Sequence, residues 1–311
     1  SKYRTELMGF ATLLIIICHT PRNEMPNWLG IIIGNLGLGV DIFLFLSGMG
    51  LYNSYKNRKV SIPKWFIKRY ERIIVPLLLI VIPILIFNKF LNSEGEFRSV
   101  LSYLGELSGF GYLFYGRALW FVSCILFLYI ITPLLYKILD SKHKYSIAAI
   151  LSLLCFIIAY ILPEKDPWAF MIQRWPSYIL GFAMAVDIKE HKQGSIWHFI
   201  VLPLFTYSFL FALNHTIGTH FSLFAFQGIP IMTISAILID EMKSERINKV
   251  LVFMGLISLE SYITNIYLIS LLKSLPLHLH IGNVLYYSVS SIICIIVSFI
   301  AYKLTYIILK K

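Results

Sequence analysis

The sequence predicts an all-α fold: a polytopic integral membrane helix bundle of about ten transmembrane helices, with both termini cytoplasmic. Three observations predict it. Of the 311 residues, 58% are hydrophobic and only 14% charged, far from the make-up of a soluble domain. The apolar residues gather into segments of bilayer-spanning length. The Lys and Arg residues fall between those segments, mostly in alternate connections.

A hydrocarbon core about 30 Å thick needs about 20 largely apolar residues per helix. Such segments lie near 4–20, 31–53, 73–91, 119–139, 145–162, 172–188, 196–213, 221–239, 249–271 and 283–307, the first and sixth being short. Runs of this length without strict apolar–polar alternation exclude a barrel, so helices must satisfy the backbone in lipid. Phe97 to Tyr115, between the third and fourth segments, contains Gly and Ser and reads as a loop or interfacial helix on the outer side. No stretch is polar for long enough to form a soluble domain, and no repeat is visible. Residues 1–311 read as a single membrane domain.

With the N-terminus inside, 20 of the 27 Lys and Arg residues fall in cytoplasmic segments, seven of them between Lys56 and Arg72. This bias sets the orientation and favours an even number of spans. The net charge of +11 is therefore topological; no basic patch interleaved with stacking aromatics points to nucleic acid. Cys18, Cys124, Cys155 and Cys294 lie in or at the ends of apolar segments without a CxxC pair, and read as small core residues. Leu7 to Cys18 has no small-residue cleavage pattern after it and reads as a retained first span rather than a signal peptide.

Ionisable groups at membrane depth are costly and mark candidate sites. His19 closes the first span toward the outside, and an imidazole can serve as a general base; the bland reading is an interfacial histidine. Asp41 lies within the second span. Arg69 and Arg72 are one helical turn apart where the third span enters, a spacing suited to gripping a phosphate, although basic residues there also serve as topology anchors. Glu260 lies near the middle of the ninth segment, with Ser261, Thr264 and Asn265 about one turn away. An unpaired carboxylate there would cost several kcal/mol or stay protonated. His215, His220, His278 and His280 lack a further ligand at metal spacing, so no metal site is expected.

Several motifs together resemble the acyltransferase type 3 family of bacterial integral membrane acyltransferases, which acylate surface carbohydrates. Glu6-Leu7-Met8-Gly9-Phe10-Ala11 through Cys18-His19 resembles the family's first span. Gly39-Val40-Asp41-Ile42-Phe43-Leu44-Phe45-Leu46-Ser47-Gly48 resembles its second-span motif. Lys68-Arg69-Tyr70-Glu71-Arg72-Ile73-Ile74-Val75-Pro76 resembles its two-arginine element, Leu119-Trp120-Phe121 with Tyr129 and Pro133 its fourth span, and Leu256 to Tyr267 a late span. Two positions depart from the pattern: Met8 stands where the family has an arginine, with Arg4 one turn earlier, and Asn265 stands where it has a histidine.

The resemblance implies an acyl-CoA-dependent O-acyltransferase of the bacterial cytoplasmic membrane, moving an acetyl or other acyl group to a hydroxyl of a cell-surface or exported carbohydrate. It implies His19 and Asp41 as catalytic, the carboxylate orienting the imidazole, and Arg69 and Arg72 as the acyl-CoA site. Arg4, Ser47, Trp120, Glu260 and Asn265 are supporting candidates. Acyl-CoA is a donor substrate rather than a resident cofactor. The expected partners are the lipid bilayer, acyl-CoA and a carbohydrate or glycolipid acceptor, with a second copy of the chain or a glycan-assembly protein left open, and no nucleic acid. The alternative is a non-catalytic acyltransferase-like domain that binds or transports a small molecule.

Overall fold

The computed structural model describes residues 3–22, 25–91, 100–115, 119–163, 166–185, 224–273 and 283–310, and among these no strand occurs. Helix α1 runs Arg4–Cys18. After Pro26, α2 (Asn27–Asn35) passes through a 3-10 turn at Leu36–Leu38 into α3 (Gly39–Lys56). The 30-residue α4 (Ile62–Leu91) follows, with Pro76 and Pro83 inside it; neighbouring helices make such prolines tolerable in a membrane. Short helices α5 (Val100–Leu107) and α6 (Gly111–Tyr115) lead to α7 (Trp120–Leu139) and α8 (Lys144–Ile161). Next come α9 (Pro167–Ile172) and α10 (Trp175–Met184). The chain closes with α11 (Phe224–Met242), α12 (Glu245–Leu256), α13 (Ser258–Lys273) and α14 (Asn283–Leu309).

Among the described residues, five helical runs are long and apolar enough to cross a membrane, or six if the α12–α13 pair counts as one bent span. The ten-span count and the placement of the termini rest on the sequence. The expected seventh span, 196–213, lies outside the described residues, as does the sixth beyond Ala185. Where the first span is expected, α1 has 15 residues, about 22 Å at 1.5 Å per residue. The expected third span starts earlier than residue 73: Ser61-Ile62-Pro63 opens α4, the Ser61 carbonyl accepting from Trp65 N–H at 2.9 Å. Arg69 and Arg72 therefore stand on a formed helix. The expected ninth span is two helices meeting at 65°.

Glycines set the closest helix crossings. A Cβ on Gly9 would run into the Leu251 carbonyl oxygen, and one on Gly255 into that of Thr5, so α1 and α12 touch backbone to backbone. Gly48 and Gly181 do the same for α3 and α10, against the carbonyls of Tyr178 and Phe45. Lipid offers no hydrophobic drive for helix association, so close van der Waals approach at small residues takes that role. Gly9→Val is expected to force α1 from α12 and cost about 1–3 kcal/mol or more, measured as a lowered unfolding temperature in detergent. An unchanged temperature would mean that the crossing is not tight.

These crossings put α3 at the centre, with Ile42, Leu44, Phe45 and Leu46 almost fully buried. Many apolar side chains of α8 and α14 point outward, among them Ile150, Leu153, Ile161, Ile292 and Ile296, as a lipid-facing surface requires.

Candidate functional site

Three arginines converge at one end of the bundle. Arg4 leaves the start of α1 and donates from Nε to the Leu46 carbonyl at 3.4 Å, its guanidinium lying over Gly50, where a side chain would crowd it. On α4, Arg69 donates from Nη2 to Ser54 Oγ, which also accepts from Trp65 Nε1 at 3.0 Å. The Trp65 ring lies 5.9 Å from the Arg69 guanidinium, an added cation–π hold. Arg72 is one turn further. The Tyr129 phenol of α7 lies near all three guanidinium groups in the same lining. None of the three pairs with a carboxylate among the described residues. Clustered guanidinium groups not paired to carboxylates suit a polyanion such as a phosphate ester.

These arginines line a cavity of about 820 Å³ that also takes in Lys68, Glu71 and Lys310. It follows α1 from Arg4 to Ile16, twelve residues or about 18 Å. Its walls include Phe43 and Ser47 of α3, Phe121 and Tyr129 of α7, Glu260 and Asn265 of α13, and Tyr302 and Thr305 of α14. Tyr262 is fixed by accepting the Phe121 N–H at 3.2 Å. The cavity lies within the range typical of small-molecule sites. It brings together Arg4, Ser47, Arg69, Arg72, Glu260 and Asn265.

His19 stands one turn beyond Ile15 and Ile16, outside the cavity lining, and its side chain is exposed. It caps the C-terminus of α1. Its Nδ1 lies 2.7 Å from the Ile15 carbonyl, an oxygen that can only accept. Nδ1 therefore carries the proton, and in the neutral ring Nε2 is the free base.

No hydrogen bond or ion pair joins Asp41 to His19 among the described residues. Its carboxylate, 1% exposed, accepts from Arg174 Nη1 and, at 2.8 Å, from Ser177 Oγ of α10. Gly228 of α11 sits over it, so close that a Cβ there would lie 3.1 Å from the Asp41 Cβ. Trp120 likewise belongs to this cluster: its ring meets Phe170 edge-on at 4.9 Å and faces the Arg174 guanidinium at 6.0 Å.

Arg174, Thr305 and Lys310 are not among the candidates that the sequence offers, and Lys68 and Tyr129 enter there only as parts of family-like motifs. An arginine at the head of an apolar segment was the available signal for the first. His215, His220, His278 and His280 lie outside the described residues, within which no group of three His, Cys, Asp or Glu side chains gathers as a metal site.

Neither the curated proteins nor the solved structures yield a match. The family comparison does. The model of the Acyl_transf_3 family, an acyltransferase domain, matches residues 7–303, a span holding the Arg69–Arg72 element, His19 and most of the cavity lining, though not Arg4 or Thr305; the chain belongs to that acyltransferase family.

Proposed function

We propose that this acyltransferase takes its acyl group, acetyl in the simplest case, from acyl-CoA on the cytoplasmic side of a bacterial inner membrane and passes it to a hydroxyl of a cell-surface or exported carbohydrate. The observation that carries the proposal is the cavity joining the arginine cluster to the turn of α1 just below His19. Arg4, Arg69 and Arg72 grip the nucleotide phosphates, and the acyl thioester enters along α1. His19 Nε2 takes the proton of the acceptor hydroxyl as its oxygen attacks the thioester carbonyl. The C–S bond breaks, and CoA leaves as the thiolate and collects a proton. Asp41, held by Arg174, acts as a positioning residue for α3 rather than through the imidazole.

The test is acceptor-dependent CoA release by protein in liposomes, with acetyl-CoA on the arginine-rich side and crude surface glycan as acceptor. Arg69→Ala is expected to lower kcat/KM by about 10- to 100-fold, chiefly through KM, as loss of a charge-assisted phosphate contact does. A parent protein that neither binds CoA nor turns it over would overturn the proposal and leave the binding-or-transport alternative in its place.

A further inference from the structure

Inward of the arginines, the cavity wall carries polar atoms that the fold leaves unsatisfied. Asn265 is 7% exposed and its Oδ1 has no hydrogen-bond partner; Thr305, also 7% exposed, has none for its Oγ1. Glu260 is 5% exposed, and no side chain pairs with its carboxyl among the described residues. All three line the cavity. A buried polar atom left unpaired costs about 1–3 kcal/mol, and two in one wall, beside a carboxyl that no side chain pairs with, need an explanation.

Their positions supply one. Asn265 is at the deep end, beside the Tyr287 hydroxyl, which donates to the Ile16 carbonyl at 2.8 Å. Glu260 is five residues nearer the mouth on α13, about 7–8 Å along the helix. Thr305 is the same distance inward of Lys310 on α14. A ligand anchored by phosphates at the mouth and reaching the deep end must pass this wall, and the wall offers acceptors at Asn265 and Glu260 and a hydroxyl that donates or accepts at Thr305. Secondary amides fit it, having one N–H and one C=O each. An alkyl chain does not.

We propose that Glu260, Asn265 and Thr305 recognise the two amides of a pantetheine arm and so set the depth to which the acyl thioester is inserted. The assignment rests on the donor reading above. Such an arm reaches a membrane protein on CoA or on a carrier protein, and the wall recognises the chemistry they share.

The test is calorimetric titration of the purified full chain with CoA, with adenosine 3′,5′-bisphosphate, which keeps the nucleotide and lacks the arm, and with a holo acyl carrier protein. The parent is expected to bind CoA more tightly than the bisphosphate. Asn265→Leu with Thr305→Val should weaken CoA about tenfold and leave the bisphosphate unchanged, which also shows that the variant is folded. Arg69→Ala should weaken both nucleotides alike. Unchanged CoA affinity in the double variant would mean that the wall holds only water, and equal loss of both nucleotides would mean a general packing defect; either overturns the assignment. Binding of the carrier protein without CoA, weakened by the wall variants, would keep the arm and replace the donor. A parent that binds none of the three overturns the donor reading and this assignment with it.

Discussion

Replacing His19 by Ala is expected to lower kcat by about two to four orders of magnitude while leaving the affinity for CoA unchanged. The two halves of this result have separate physical sources. The loss comes from removing a base whose Nδ1 is already committed to the Ile15 carbonyl, so that Nε2 is the free nitrogen without a change of tautomer. The unchanged affinity follows from placement: the arginines line the cavity and His19 does not. Added imidazole should return part of the lost rate, because the side chain is exposed and its space is open to solvent. Turnover at the parent rate in the variant would remove His19 from the chemistry. A parallel fall in CoA affinity would instead mean that truncating the cap loosens α1.

Much of this site was legible because its parts are local in sequence. Arg69 and Arg72 fall on one face of a helix whatever the rest of the chain does, and Arg4, Ser47, Glu260 and Asn265 are polar residues inside apolar segments. What was illegible depends on non-local packing. The α12–α13 run is continuous in composition, so hydropathy reads one span; the bend follows a crossing in which Gly255 meets the Thr5 carbonyl, about 250 positions away in the chain. The start of α4 was obscured differently. Seven basic residues between Lys56 and Arg72 lower the hydropathy, yet long cationic side chains let an apolar helix extend past the hydrocarbon edge. The unpaired atoms of Asn265 and Thr305 belong to the same class, since lack of a partner is a property of packing alone.

Asp41 is the sharpest case, because its partner Arg174 lies 133 residues away, and it yields the second large effect. Arg174→Ala leaves a carboxylate without its cation at 1% exposure, and Asp41→Ala takes from Arg174 the carboxylate that it bonds. Each single change is expected to cost about 3–5 kcal/mol of stability, because breaking a buried pair strands the other charge. Removing both with shape kept, as Asp41→Asn with Arg174→Met, is expected to recover most of that loss, since paired burial gains little over a neutral contact of similar volume. The same double variant separates two roles for Asp41. If the carboxylate only ties α3 to α10 through Arg174 and Ser177, the neutral pair should restore turnover along with the unfolding temperature. If it acts on His19 in some step, stability should return while kcat stays low. The geometry favours the first result, because Arg174 and Ser177 already take both carboxylate oxygens. A double variant no more stable than the singles would show instead that the charges themselves hold the two helices together.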